Sequence, residues 1–218
     1  MLGRCVFLSF VTTIRNPISN LHNSIGPANY AFMNLGAMSQ YVDYFNLMAY
    51  DYAGAWDTVS GHDANINPST SNPASTPFST SAAVDHYLAS IPASKLILGM
   101  PLYGRAFTNT AGMGQPFQGV GSGSWENGIW DYKVLPQAGA VETTDTSDLG
   151  ASWSYDSAQK LLISYDNKAV ASRKTQYIQD KGLGGGMWWE ASGDRTGADS
   201  LIGTVSFTIF TSWAGSVN

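Results

Sequence analysis

Tyr44-Phe45-Asn46-Leu47-Met48-Ala49-Tyr50-Asp51-Tyr52 decides how this chain is to be read. Strand alternation puts Asn46, Met48 and Tyr50 on one face and Phe45, Leu47 and Ala49 on the other. Both faces are largely apolar, which is the pattern of a buried parallel strand. The run ends in Asp51, flanked by two tyrosines, and the C-terminal end of a parallel strand is where α/β enzymes place their chemistry. Two later stretches repeat the design. Lys95-Leu96-Ile97-Leu98-Gly99-Met100-Pro101 runs into Leu102-Tyr103-Gly104-Arg105, and Gly184-Gly185-Gly186-Met187-Trp188-Trp189-Glu190 ends in a double tryptophan and a glutamate.

Working outward, residues 53–80 are rich in Gly, Asn, Ser, Thr and Pro and read as a long loop. Ala82, Ala83, Val84, Tyr87 and Leu88 then recur at helical spacing over residues 81–90. Residues 44–101 are thus one strand–loop–helix–strand unit of a parallel α/β protein. Residues 106–167 break the pattern, with Gly-rich turns and candidate short strands at 151–155 and 160–165, and read as a small antiparallel insertion. A helix over 168–181 returns the chain to the strand at 184–191. Residues 1–25 show no period, 26–30 read as a turn and 31–38 as a short helix. Residues 206–210 are strand-like.

The composition narrows the function. Hydrophobic residues make up 44% of the 218 and charged residues 12%, which argues against disorder. Eleven basic against 16 acidic residues give a net charge of −5, so nothing attracts a nucleic-acid backbone or an anionic membrane surface. No run reaches the ~18 apolar residues of a membrane span. The single Cys5 forms no internal disulfide. Arg4 followed by Cys5-Val6-Phe7-Leu8 is weakly like a secretion signal, without a clear small-residue cleavage site. No spacing of His, Cys, Asp and Glu suggests a metal, and no Gly-rich loop opens a helix for phosphate, so neither metal nor cofactor is expected. Seven tryptophans and 11 tyrosines suit carbohydrate, whose apolar faces stack on flat rings.

Several motifs in order carry a family resemblance: Asn46-Leu47-Met48-Ala49-Tyr50-Asp51-Tyr52-Ala53-Gly54, Gly61-His62-Asp63-Ala64-Asn65, Gly99-Met100-Pro101-Leu102-Tyr103-Gly104-Arg105, Gly121-Ser122-Gly123-Ser124-Trp125-Glu126 and Met187-Trp188-Trp189-Glu190-Ala191-Ser192. From about Gly26 to about Thr204 the chain resembles the secreted chitinases of filamentous fungi, in glycoside hydrolase family 18. The resemblance implies an α/β fold, an incomplete (β/α)8 TIM barrel made of its last three β/α units, with a small α+β insertion domain after the seventh strand. The division it implies is an unmatched head over 1–25, barrel over 26–105 and 168–205, insertion over 106–167 and an unmatched tail over 206–218. It also implies an extracellular location.

Members of this family cleave β-1,4-linked N-acetylglucosamine with retention, using the sugar's own acetamido oxygen as nucleophile. The resemblance assigns the catalytic positions that hold that acetamide to Tyr50 and Asp51. It assigns sugar binding to Met48, Tyr103, Arg105 and Trp189, with Trp189 as the floor under the reacting sugar and its peptide bond to Glu190 cis. Glu126 and Trp130 are candidates to reach the cleft from the insertion. By residue type Met48 reads more readily as plain core, and Arg105 as readily as a structural ion-pair partner, while His62 and Asp63 read as loop braces. The expected partner is chitin or a chito-oligosaccharide.

The family's proton donor is the Glu of an Asp-x-x-Asp-x-Asp-x-Glu strand, and no such run occurs here. Asp145-Thr146-Ser147-Asp148 begins like it, but Gly150 and Ser152 stand where Asp and Glu are required. General acid catalysis contributes roughly 10²–10⁴ in rate, so the chain alone is expected not to hydrolyse chitin. The head and tail fit a C-terminal piece of a chitinase gene. Three parallel strands leave open edges, and self-association through them is expected.

Overall fold

The computed structural model describes residues 20–24 and 30–205. With strands numbered in chain order, β1 (Asn20–Ser24), β2 (Tyr44–Met48), β3 (Leu96–Pro101) and β9 (Gly185–Trp189) form a parallel sheet in that spatial order. Between β3 and β9 the chain builds a second, antiparallel sheet from β4 (Tyr103–Phe107), β5 (Ile129–Asp131), β6 (Val141–Asp145), β7 (Ala151–Asp156) and β8 (Leu161–Tyr165). Its order is β5-β4-β8-β7-β6.

The apolar runs end up where their pattern demands. Phe45 and Leu47 of β2 pair with Leu96 and Leu98 of β3, and all four are fully buried. A Cβ on Gly99 would sit 2.5 Å from the Leu47 carbonyl oxygen, so these two strands approach more closely there than a side chain allows.

Among the described residues, helices form where local signals place them. The short α1 covers Leu35–Met38. In α2 (Thr80–Leu88), Ser79 caps the start by accepting the Ala82 N–H, and Ala83, Val84 and Tyr87 turn inward. In α3 (Lys168–Asp180), Asn167 accepts the Val170 N–H at 3.1 Å. Gly182 then takes φ 63° and lets the Leu183 N–H reach back to the Ile178 carbonyl at 2.9 Å, a glycine-ended helix stop. The inner face of α3 also buries Lys174, whose Nζ lies 2.5 Å from Asp166 Oδ2. The two side chains are 1% and 3% exposed.

The helices expected at 81–90 and 168–181 and the insertion strands expected at 151–155 and 160–165 are present within one or two residues. The helix expected at 31–38 is confined to Leu35–Met38. One expectation is corrected. The parallel sheet has four strands among the described residues, not three: Asn20–Ser24 is paired with β2 from Asn20↔Tyr44 to Ser24↔Met48. Asn-Leu-His-Asn-Ser has one apolar residue, so neither periodicity nor strand propensity marks it. The head through residue 19 and the strand-like 206–210 lie outside the described residues.

Leu102 joins the two sheets. Its N–H bonds the Trp189 carbonyl at 2.8 Å, and its carbonyl accepts the Tyr132 N–H at 2.9 Å. The end of the parallel sheet and the first strands of the antiparallel one are thereby held edge to edge, and a cleft opens at the joint.

Candidate active site

The site starts where β2 stops. Asp51 adopts φ 62°, a left-handed conformation uncommon for a residue with a side chain. Both neighbouring amides are tied down. The Asp51 N–H donates to Asp63 Oδ1 at 3.0 Å, and the Tyr52 N–H donates to the Asp63 carbonyl at 3.0 Å. Asp63 is in turn anchored to β8, through its own N–H to Ser164 Oγ at 3.0 Å.

Tyr103 and Arg105 are alternate residues of β4 and so project from one face. They converge on a single atom. The Tyr103 hydroxyl donates to Asp51 Oδ1 at 2.5 Å and Arg105 Nε donates to the same oxygen at 2.7 Å. Neither bond engages Asp51 Oδ2. The Asp51 side chain is 40% exposed, whereas that of Arg105 is 15% exposed. Burial, then the neighbouring Asp63 and Asp51 carboxyls once ionised, hold the Tyr103 phenol well above its ordinary range, so it remains a donor. Tyr50 packs edge-on against Tyr103, with ring centroids 6.1 Å apart at 73°. The Arg105 guanidinium lies 4.7 Å from the centre of the exposed Trp56 ring.

Around this cluster is a cleft of about 250 Å³, lined by Asp51, Leu102, Tyr103, Arg105, Trp125, Ile129, Asp131, Trp189, Glu190 and Gly193. Strand alternation separates the two tryptophans of β9. Trp188 is buried in the core and Trp189 is exposed to the cleft. The Trp189–Glu190 peptide bond is cis. On the opposite wall Trp125 is 74% exposed, yet its indole N–H is fixed to Asp131 Oδ1 at 2.8 Å, and Asp131 Oδ2 pairs with Lys133 at 2.9 Å. An exposed ring held by its polar edge is a pre-oriented platform. Among the described residues, no group of three or more His, Cys, Asp or Glu side chains is arranged to hold a metal.

The structure brings four of the expected residues together at the cleft: Asp51, Tyr103, Arg105 and Trp189. Tyr50 stands behind Tyr103. Met48 packs with Tyr50, Ala64 and Tyr103 and is not part of the lining, the core placement its apolar character also allowed. Trp130 is on the wrong side of β5. Ile129 and Asp131 face the cleft, so Trp130 between them is turned to the main core, where its indole nitrogen is buried without a partner among the described residues. Glu126 lies in the exposed turn before β5 and does not line the cleft; its neighbour Trp125 does. Sequence reasoning missed Asp131 as a site residue, and missed Trp125 although the motif containing it was noted. The alternation of Ile129-Trp130-Asp131 was the available signal, but three residues after a long Gly-rich stretch carry little weight.

A family model, that of glycosyl hydrolases family 18, matches residues 7–194. The chain belongs to this family. It is 53% identical over 182 residues to endochitinase 1 of Metarhizium robertsii, covering 83% of this chain and 43% of that relative. It is 52% identical over 180 residues to chitinase 1 of Aphanocladium album, covering 82% and 42%. Among solved structures, the catalytic domain of chitinase B from Arthrobacter TAD20 superposes with TM-score 0.79 at 35% identity, over 88% of this chain and 45% of that one. The chain spans less than half the length of each of these three relatives.

Proposed function

We propose that this chain is the acetamide-holding side of a chitinase, recognising β-1,4-linked N-acetylglucosamine in chitin or its oligosaccharides outside the cell. One observation carries the reading. Tyr103 and Arg105 both bond Oδ1 of Asp51, a half-exposed side chain that lines the cleft, and neither engages its Oδ2. A fixed carboxylate there accepts the N–H of a sugar's acetamide and stabilises the positive charge that grows as the acetamide oxygen attacks the anomeric carbon. Trp189 supplies the apolar floor, and Trp125, held by Asp131, a further ring on the facing wall. Tyr50 supports the cluster through Tyr103.

In this reading the four parallel strands are part of a (β/α)8 barrel, because each successive strand adds to the same side of the last. The antiparallel strands are the insertion that walls the cleft. The 218 residues hold no Asp-x-x-Asp-x-Asp-x-Glu run, so this chain alone binds and does not cleave. That makes it a non-catalytic sugar binder by itself, and a chitinase half when the acid-bearing strand is supplied. The outer strands β1 and β9 give it edges through which copies associate.

The test is a titration of the purified chain with chitin tetrasaccharide, beside an assay for released shorter sugars. Saturable binding, weakened about tenfold by Trp189→Ala, with no release, supports the reading. Steady release of short oligosaccharides, or binding indifferent to Trp189, contradicts it.

A further inference from the structure

Asp63 is a buried acid that the chemistry above does not use. Its side chain is 1% exposed. Oδ1 accepts the Asp51 N–H at 3.0 Å and lies 3.9 Å from Arg105 Nε. Oδ2 is buried and has no hydrogen-bond partner among the described residues. The charged and titratable groups facing it are Asp51 and Tyr52 beyond β2, Tyr103 and Arg105 on β4, and Asp166 beyond β8. Its chain neighbour His62 instead meets the Trp153 ring edge-on. One guanidinium therefore serves two carboxyl groups, and it sits 1.2 Å closer to Asp51 (2.7 against 3.9 Å).

We propose that Asp63 is a positioning residue that works as a neutral carboxyl: its bond to the Asp51 amide sets the left-handed backbone, and its proton leaves Arg105 to Asp51 alone. An ionised Asp63 places a second negative charge beside Arg105, with one oxygen desolvated and unpaired, a costly arrangement. Burial, and next the charge of Asp51, push the Asp63 carboxyl well above the usual carboxylate range, in agreement with the geometry. As pH rises and Asp63 ionises, Arg105 is drawn between two acids and Asp51 loses its fixed position. Sugar recognition at Asp51 then weakens. The inference rests on Asp51 being the acetamide partner, but its structural half is testable without sugar.

The experiment is carboxyl-carbon NMR of the ligand-free chain, labelled at aspartate, across about pH 3–9. Asp63 is expected to titrate above the ordinary carboxylate range, and the Asp51 amide resonance to move with the same midpoint. In Asp63→Asn, which keeps the acceptor and cannot ionise, that movement of the Asp51 amide disappears. An Asp63 carboxyl that titrates in the ordinary range, or an Asp51 amide that still moves in Asp63→Asn, overturns the proposal. Chitin tetrasaccharide adds a functional arm. Wild-type affinity is expected to fall about tenfold as pH rises through the Asp63 midpoint found by NMR, and Asp63→Asn to flatten that fall. An unchanged fall in Asp63→Asn also overturns it. A wild-type chain that binds no sugar at any pH sinks the functional reading, and the NMR midpoints still decide the role of Asp63.

Discussion

The parallel and antiparallel sheets share Leu102 and differ in what covers them. In the parallel sheet, Phe45 and Leu47 of β2 and Leu96, Leu98 and Met100 of β3 have no exposed surface. The outermost antiparallel strand, β6, is exposed along nearly its whole length, with Val141 at 71%. It is held largely by polar contacts: Asn167 donates to Glu142 Oε1 at 2.8 Å and to Thr144 Oγ1 at 2.7 Å. The site draws on both. Asp51 comes from the end of a buried strand, while its donors Tyr103 and Arg105 come from the antiparallel sheet. Stability is concentrated where nothing touches ligand, and the polar wall of the cleft stands on the sheet that contributes less to it.

The hardest test of that division is Lys174→Ala. It strands Asp166 in the core behind the sheets, and a loss of about 3–5 kcal/mol is expected in urea unfolding. Next, Leu98→Ala in β3 is expected to cost about 2–5 kcal/mol. Val141→Ala in β6 is expected to stay within about 0.5 kcal/mol. Comparable losses at Leu98 and Val141 would erase the contrast.

Acid acts through the joint between the loop and the antiparallel sheet. Burial lowers the His62 imidazole to about 4. The unfolded chain binds this proton from about pH 6.5 downward, so stability is intact above that value and is lost as pH falls toward 4. The loss at this one site is about 3 kcal/mol, and His62→Phe is expected to flatten the acid limb of the thermal melts. An unchanged acid limb in that variant removes His62 from the account.

Effects at the cleft are expected to be smaller in stability and larger in binding. Tyr103→Phe removes one of two donors to Asp51 and is expected to weaken oligosaccharide binding about tenfold with the melting temperature nearly unchanged. Trp125→Phe keeps a ring and loses only its anchor to Asp131, so about a threefold loss is expected. A larger effect from Trp125 than from Tyr103 would shift the centre of recognition to the antiparallel wall.

The same contrast explains what the sequence disclosed. β2 and β3 were legible because strands buried on both faces need continuous apolar runs, and Asp51 stood out against that background; β9 was marked instead by its glycine-led run into two tryptophans. Tyr103 and Arg105 followed because β4 continues almost directly from β3. The placement of Trp130 was not legible, because β5 is three residues long and its alternation is visible only once Tyr103↔Asp131 and Arg105↔Ile129 are paired. The strand Asn20–Ser24 is paired on one side only among the described residues, and its largely polar sequence announces nothing. The bond from the Asp51 amide to Asp63 spans a loop, and no local pattern encodes it.

The most direct measurement of the central claim is calorimetric titration of chitin tetrasaccharide into the wild-type chain and into Asp51→Asn. Asn tolerates the left-handed backbone and keeps the shape of the side chain while removing its charge. The account predicts saturable wild-type binding that weakens at least about tenfold in the variant, with both proteins melting alike. Equal binding by the two, or none by the wild type, would contradict it.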